Sequence, residues 1–97
     1  MSKHLILWES DMSRIPVDPN EQAALHGKHL EITKKMLDEG QMTDWGIFAG
    51  GGAGYAISEG TASDSLRNIM PFSPYIKFKV LSVLSLDEVA EVMKSMM

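Results

Sequence analysis

The first hydrophobic block, Lys3 to Glu9 (KHLILWE), is short and bulky and ends at the polar stretch Ser10 to Arg14, which predicts a strand. His4, Ile6 and Trp8 project to one side of it, Leu5 and Leu7 to the other, so both faces are largely apolar. Such a strand belongs in the middle of a sheet, with something covering each face. Asp18 and Pro19 then mark a helix start, with Glu21 in the first turn, where the positive helix end favours it. The helix is expected to run to about Glu39, ahead of Gly40, a natural left-handed terminator.

Two further strands are predicted, Met42 to Ala49 and Gly54 to Glu59, joined by the glycines Gly50, Gly51, Gly52 and Gly54 as a flexible hairpin loop. Thr61 is a plausible cap for a second helix that extends to about Ile69 before Pro71 stops it. Pro74 precedes a strand from Tyr75 to Leu84, in which Ile76, Phe78 and Val80 alternate with Tyr75, Lys77 and Lys79. Ser85 and Glu88 form the capping-box pattern of a last helix, whose apolar positions Val89, Val92, Met93 and Met96 recur at helical spacing. The order is βαββαβ plus a C-terminal helix, without internal repeat or linker. It predicts a single α+β domain over residues 1–97 with a ferredoxin-like, four-stranded antiparallel sheet and both principal helices on one face.

That arrangement leaves a second sheet face, which in a monomer should be polar. The first strand has no such alternation. In the second, Met42 and Phe48 oppose Trp45 and Ile47, and at the end of the fourth, Leu81 and Val83 oppose Val80 and Leu84. Apolar surface on both sides of a one-sided layer predicts a homodimer formed through the sheet face.

Composition narrows the function classes. The chain has 97 residues, nine basic and thirteen acidic, for a formal charge of −4 and no basic face suited to nucleic acid or an anionic membrane. It has no cysteine, which excludes a disulfide framework, a thiol nucleophile and a zinc ribbon. No apolar run is long enough for a membrane span, and Met1 to Ser10 lacks a signal-peptide pattern, so a cytoplasmic location is the default expectation.

From about Gly60 to Val83 a helix, then Met70-Pro71-Phe72-Ser73-Pro74-Tyr75, then alternating Ile76, Phe78 and Val80, resembles the C-terminal half of the muconolactone isomerases. These belong to the dimeric α+β barrel superfamily. The resemblance covers about a quarter of the chain. It implies two ferredoxin-like sheets paired face to face, with a small-molecule cavity between helix and sheet and cofactor-free chemistry such as isomerisation or oxygenation. The N-terminal third, with His26 and His29, does not resemble the isomerases closely, so no catalytic residue is carried over.

The first helix holds the most informative polar residues. At about 100° per residue, Leu25, Ile32 and Met36 border the apolar arc on one side and Ala23, Leu30 and Leu37 on the other. His26, His29 and Thr33 fall between them, toward the sheet. Polar groups there need partners or water, or they cost about 1–3 kcal/mol each, so they are expected to line a polar cavity. A neutral imidazole suits proton transfer near neutral pH, which makes His29 and His26 the candidate catalytic residues. Thr33, Trp45 and Tyr75 are candidate donors to a developing oxyanion, and with Trp8 they are the candidate substrate-binding residues.

Plainer readings stand beside these. Each imidazole can bond a backbone carbonyl or lie at a helix margin, and the tryptophans can be core or interface side chains. A metal shared by His26 and His29 needs a third ligand, with His4 and Asp44 the available residues, and neither a metal nor a cofactor is expected. The GGGAG run joins strand to strand and lacks the helix start of a phosphate-binding loop. Lys77 and Lys79 suit an edge strand guarded against aggregation. The competing class to ligand binding is a non-catalytic interaction module built from the dimer and its Met-rich terminal helix.

Overall fold

Ile6 is the most completely buried large side chain, 1% exposed, and it sits at the centre of β1 (Lys3–Ser10). In the computed structural model, which describes residues 3–97, β1 is the central strand that the two-sided apolar pattern predicts. Met1 and Ser2, the start of the expected domain, lie outside the described residues. The remaining elements are α1 (Pro19–Asp38), β2 (Asp44–Ile47), β3 (Ala53–Glu59), α2 (Ala62–Ile69), β4 (Ile76–Val83) and α3 (Leu86–Ser95). The four strands form one antiparallel sheet in the order β2-β3-β1-β4. No helix among the described residues is long and apolar enough to cross a membrane.

Local chemistry sets the helix ends. Asp18 caps α1 through Asn20, Pro19 takes the first helical position, and Gly40 follows the helix at φ 79°. Thr61 with Asp64, and Ser85 with Glu88, form complete capping boxes on α2 and α3. The carboxyl groups of Asp64 and Glu88 titrate below the usual range, chiefly because backbone N–H groups of Thr61 and Ser85 donate to them.

α1 and α2 lie over the same sheet face. Ile6, Ala56, Met36, Met42 and Phe72 form the buried cluster, with Ile32 of α1 and Ile69 of α2 packed against it. In the strand register Ile6 stands between Ala56 and Val80, with Trp45 beyond Ala56. Burying a side chain such as Ile6 contributes about 1.5–3 kcal/mol. α2 turns Ser65 and Asn68 inward and leaves Leu66 at the surface. The buried hydroxyls of Ser65 and Ser58 answer each other across 3.0 Å, and this mutual hydrogen bond is what makes the polar inward face tolerable.

The opposite face carries Leu5, Leu7, Tyr55, Ile57, Leu81 and Val83, none of them fully buried. α3 has no buried residue, and every position from Leu84 onward is exposed. The longest dimension of the molecule, 59 Å against 25 and 23 Å, matches a terminal helix standing clear of the layer. Thus α3 does not dock on its own chain and leaves Val89, Val92 and Met93 exposed.

The bounds of β2 and β4 differ most from the sequence pattern. β2 is four residues long, not eight, and Met42 lies outside it. The Met42 N–H turns back to the Met36 carbonyl, so its side chain joins Trp45 in the same core instead of opposing it. α2 ends at Ile69 as expected, and the 3₁₀ turn that follows, Met70–Phe72, buries Phe72. Tyr75 precedes β4, its N–H held by the Phe72 carbonyl.

Gly54 is the glycine on which the site most depends. A Cβ there would lie 2.5 Å from the Trp8 indole and would also strike the Gly46 carbonyl oxygen. Replacing Gly54 with Ala is expected to destabilise the fold by about 1–3 kcal/mol, because backbone cannot yield as a side chain does. Gly50→Ala, in open space, should change stability by less than about 0.5 kcal/mol. Urea unfolding of the two variants checks this contrast.

Candidate functional site

Side chains four and three residues apart on α1 share one face, and the structure turns that face toward the sheet. His29, Thr33 and Met36 are buried there, while His26 and Gln22 lie nearer the surface. Between this helix face and the sheet lies an open cavity of about 390 Å³. Its lining includes His26, His29, Thr33, Trp8 and Trp45 of the sequence-derived candidates. Tyr75 is not in the lining, and its ring stands 5.9 Å from the His29 ring. Tyr75 sits in the turn before β4, beside the imidazole rather than in the cavity.

Gly54 lets Trp8 lie flat across β3. The Trp8 indole N–H donates to the Tyr55 carbonyl at 3.3 Å, and the ring stacks on Trp45 with centroids 5.5 Å apart and planes within 9°. The two indoles therefore make a stacked aromatic pair on the cavity wall, held by a hydrogen bond as well as by contact.

His29 is 9% exposed and meets the edge of Phe72 at 5.2 Å. Burial, and then the positive charge that His26 and Lys28 can carry, push its pKa down, so the imidazole is neutral near pH 7. A neutral imidazole at a cavity wall can accept a proton. The Thr33 hydroxyl donates to the His29 carbonyl at 2.8 Å, so its hydrogen is engaged within the helix and only its lone pairs face outward. That removes Thr33 as the expected oxyanion donor. Gln22, one turn before His26, lines the cavity and carries a free-standing amide suited to the task. The same rotation that singled out His26 and His29 extends to Gln22, so the signal was present along the helix face. Asn68, a second polar lining residue, comes from α2 and was not legible there.

The two residues considered as further metal ligands lie elsewhere. Asp44 accepts from the Tyr55 hydroxyl at 2.8 Å, and this bond holds the phenol pKa up. His4 is 4% exposed and does not line the cavity, and its Nδ1 has no hydrogen-bond partner. Among the described residues no three His, Asp or Glu side chains are grouped to hold a metal ion.

The lowered pKa of His29 has a consequence for stability. The unfolded chain takes up a proton near pH 6.5 and the folded chain only at lower pH, so stability rises with pH through that interval. Between about pH 7 and 5, above most carboxylate titration, the urea midpoint should fall with acid in the parent protein. The fall should be smaller in His29→Gln. A two-dimensional spectrum of the imidazoles should show His29 protonating below pH 6.5. No protein-family model matches this chain and no curated protein matches it, so the reading of the site stands on its geometry.

Proposed function

We propose that this chain is a ferredoxin-like protein of the dimeric α+β barrel kind that binds a small, mainly apolar organic molecule between α1 and the sheet. The observation that carries the reading is the open cavity of about 390 Å³ with a buried, neutral His29 on its wall. That volume lies at the small end of ligand pockets, and a few polar groups in an apolar lining are the usual means of fixing orientation. A cavity filled by Leu, Ile and Met would have favoured a purely structural role. The strand order β2-β3-β1-β4, antiparallel throughout, is the order that a split βαβ layer requires and supports the ferredoxin-like reading.

The chemistry suited to this site is an isomerisation without a cofactor. His29 removes a proton from the carbon between a carbonyl and a carbon–carbon double bond, the oxygen of the resulting dienolate accepts from the Gln22 amide, and the imidazolium returns the proton to the far carbon of the former double bond. The step is balanced with no further reactant. Protein-observed NMR with a fragment set tests the binding. Shifts are expected at the Trp8 and Trp45 indole N–H groups and at the His29 and Thr33 amides. Shifts confined to α3 or to the outer sheet face would instead favour the interaction-module reading, for which the uncovered apolar side of α3 speaks.

The outer sheet face supports pairing of two copies. Leu5, Leu7, Ile57 and Val83 are only half buried there and Leu81 is 39% exposed, in a contiguous row across β3, β1 and β4. A second sheet laid on this row would remove it from water. Sedimentation of the parent protein at micromolar concentration should report a dimer. Leu81→Glu, at an exposed edge-strand position that cannot disturb the inner core, should shift it to a monomer with the cavity intact. A parent protein that sediments as a single chain would overturn the pairing.

A further inference from the structure

We infer, building on the ligand-binding reading above, that the cavity selects uncharged flat ring compounds bearing a hydroxyl or carbonyl oxygen and rejects carboxylates, phosphates and ammonium groups. The chain carries nine basic and thirteen acidic residues, yet no Asp, Glu, Lys or Arg is among the side chains that line the cavity. The charged residues of α1, Glu21, Lys28, Glu31, Lys34, Lys35 and Asp38, are all exposed and absent from the lining. A charged ligand group would therefore leave water without meeting an opposite charge, which is the costly case of burial. Of the two lining imidazoles, His29 is held neutral by its burial, and His26 is exposed, where water screens any charge it carries.

The hydrogen-bonding inventory points the same way by an independent route. Three donors at the cavity are already engaged with the protein. The Thr33 hydroxyl donates to the His29 carbonyl, the Trp8 indole to the Tyr55 carbonyl and an Asn68 amide hydrogen to the Gln41 carbonyl. What remains includes the oxygen lone pairs of Thr33 and an imidazole nitrogen of His29, which accept. The Gln22 amide remains as a donor for a hydroxyl or carbonyl oxygen, but it carries no positive charge to balance a carboxylate. A hydroxyl, which donates, finds a base. Shape supplies the rest, because both indoles of the stacked Trp8–Trp45 pair line the cavity and offer aromatic surface on which a planar ring can pack.

Three probes that share one ring system but differ in charge test this: 2-naphthol, 2-naphthoate and 2-naphthylmethylammonium, titrated at pH 7 into the isotopically labelled protein. 2-Naphthol is expected to move the indole N–H resonances of Trp8 and Trp45. The two ions are expected to bind at least ~10-fold more weakly. Installing a cation at the mouth, Gln22→Arg, should narrow the gap between naphthol and naphthoate by about tenfold and leave the ammonium probe weak. Naphthoate binding as tightly as naphthol, or a ratio unmoved in Gln22→Arg, would overturn the charge selection while leaving the pocket in place. Failure of all three probes to perturb any cavity resonance would overturn the pocket reading as well.

Discussion

A four-stranded sheet presents two faces, and α1 and α2 together cover one of them. Ile6 of the central strand anchors that contact, enclosed by Met36, Ala56 and Phe72 from a helix, a neighbouring strand and the turn after α2. Because β1 pairs on both sides, its inward side chains have no freedom to slip by one residue without exchanging the two faces. The direction of Trp8, the height of α1 above the sheet and the exposure of Leu5 and Leu7 all follow from that register.

The cavity is a consequence of how the same layer is filled at its far end. Around Ile6 the helix offers Met36 and Ile32, which reach the sheet and close the space. One to two turns earlier the same helix face offers His29, His26 and Gln22, polar side chains that do not complete an apolar packing. Opposite them, Gly54 gives Trp8 room to lie down rather than stand up into the gap. Space is therefore left between a polar helix stripe and the stacked indoles of Trp8 and Trp45. An imidazole within it is dry enough to stay neutral and open enough to meet a ligand. Stability and chemistry divide along one helix: its C-terminal half packs, and its N-terminal half lines.

The uncovered side of the molecule obeys the same logic with the opposite outcome. Leu81 and Val83 lie on an edge strand beside Leu5 and Leu7, and no helix of the chain reaches them. α3 has both its cap and its apolar stripe, but nothing to pack against. A ten-residue helix without tertiary contacts is only marginally stable in water. Lys77 and Lys79 share the outer face with these leucines and valines, which tempers the edge of β4 against unspecific strand addition while leaving the apolar row available.

Features confined to a single element were legible in the sequence alone. The caps at Asp18, Thr61 and Ser85 depend on residues one turn away. The two faces of β1 depend on a period of two, and the turn of His26, His29 and Thr33 toward the sheet on rotation about a helix axis. What the tertiary structure decided involves two elements at once. Met42 joins the core because the chain folds back on Met36. Tyr75 stands beside His29 and outside the cavity because the turn after α2 directs it there, and Ser65 faces inward because Ser58 is waiting on β3. The absence of charge around the cavity is of this second kind as well, since every strand and both covering helices contribute to its lining. Periodicity fixes which way a side chain points from its own axis. The distance and angle to the next axis come only from long-range packing, and those decide whether a polar side chain meets a partner, a cavity or water.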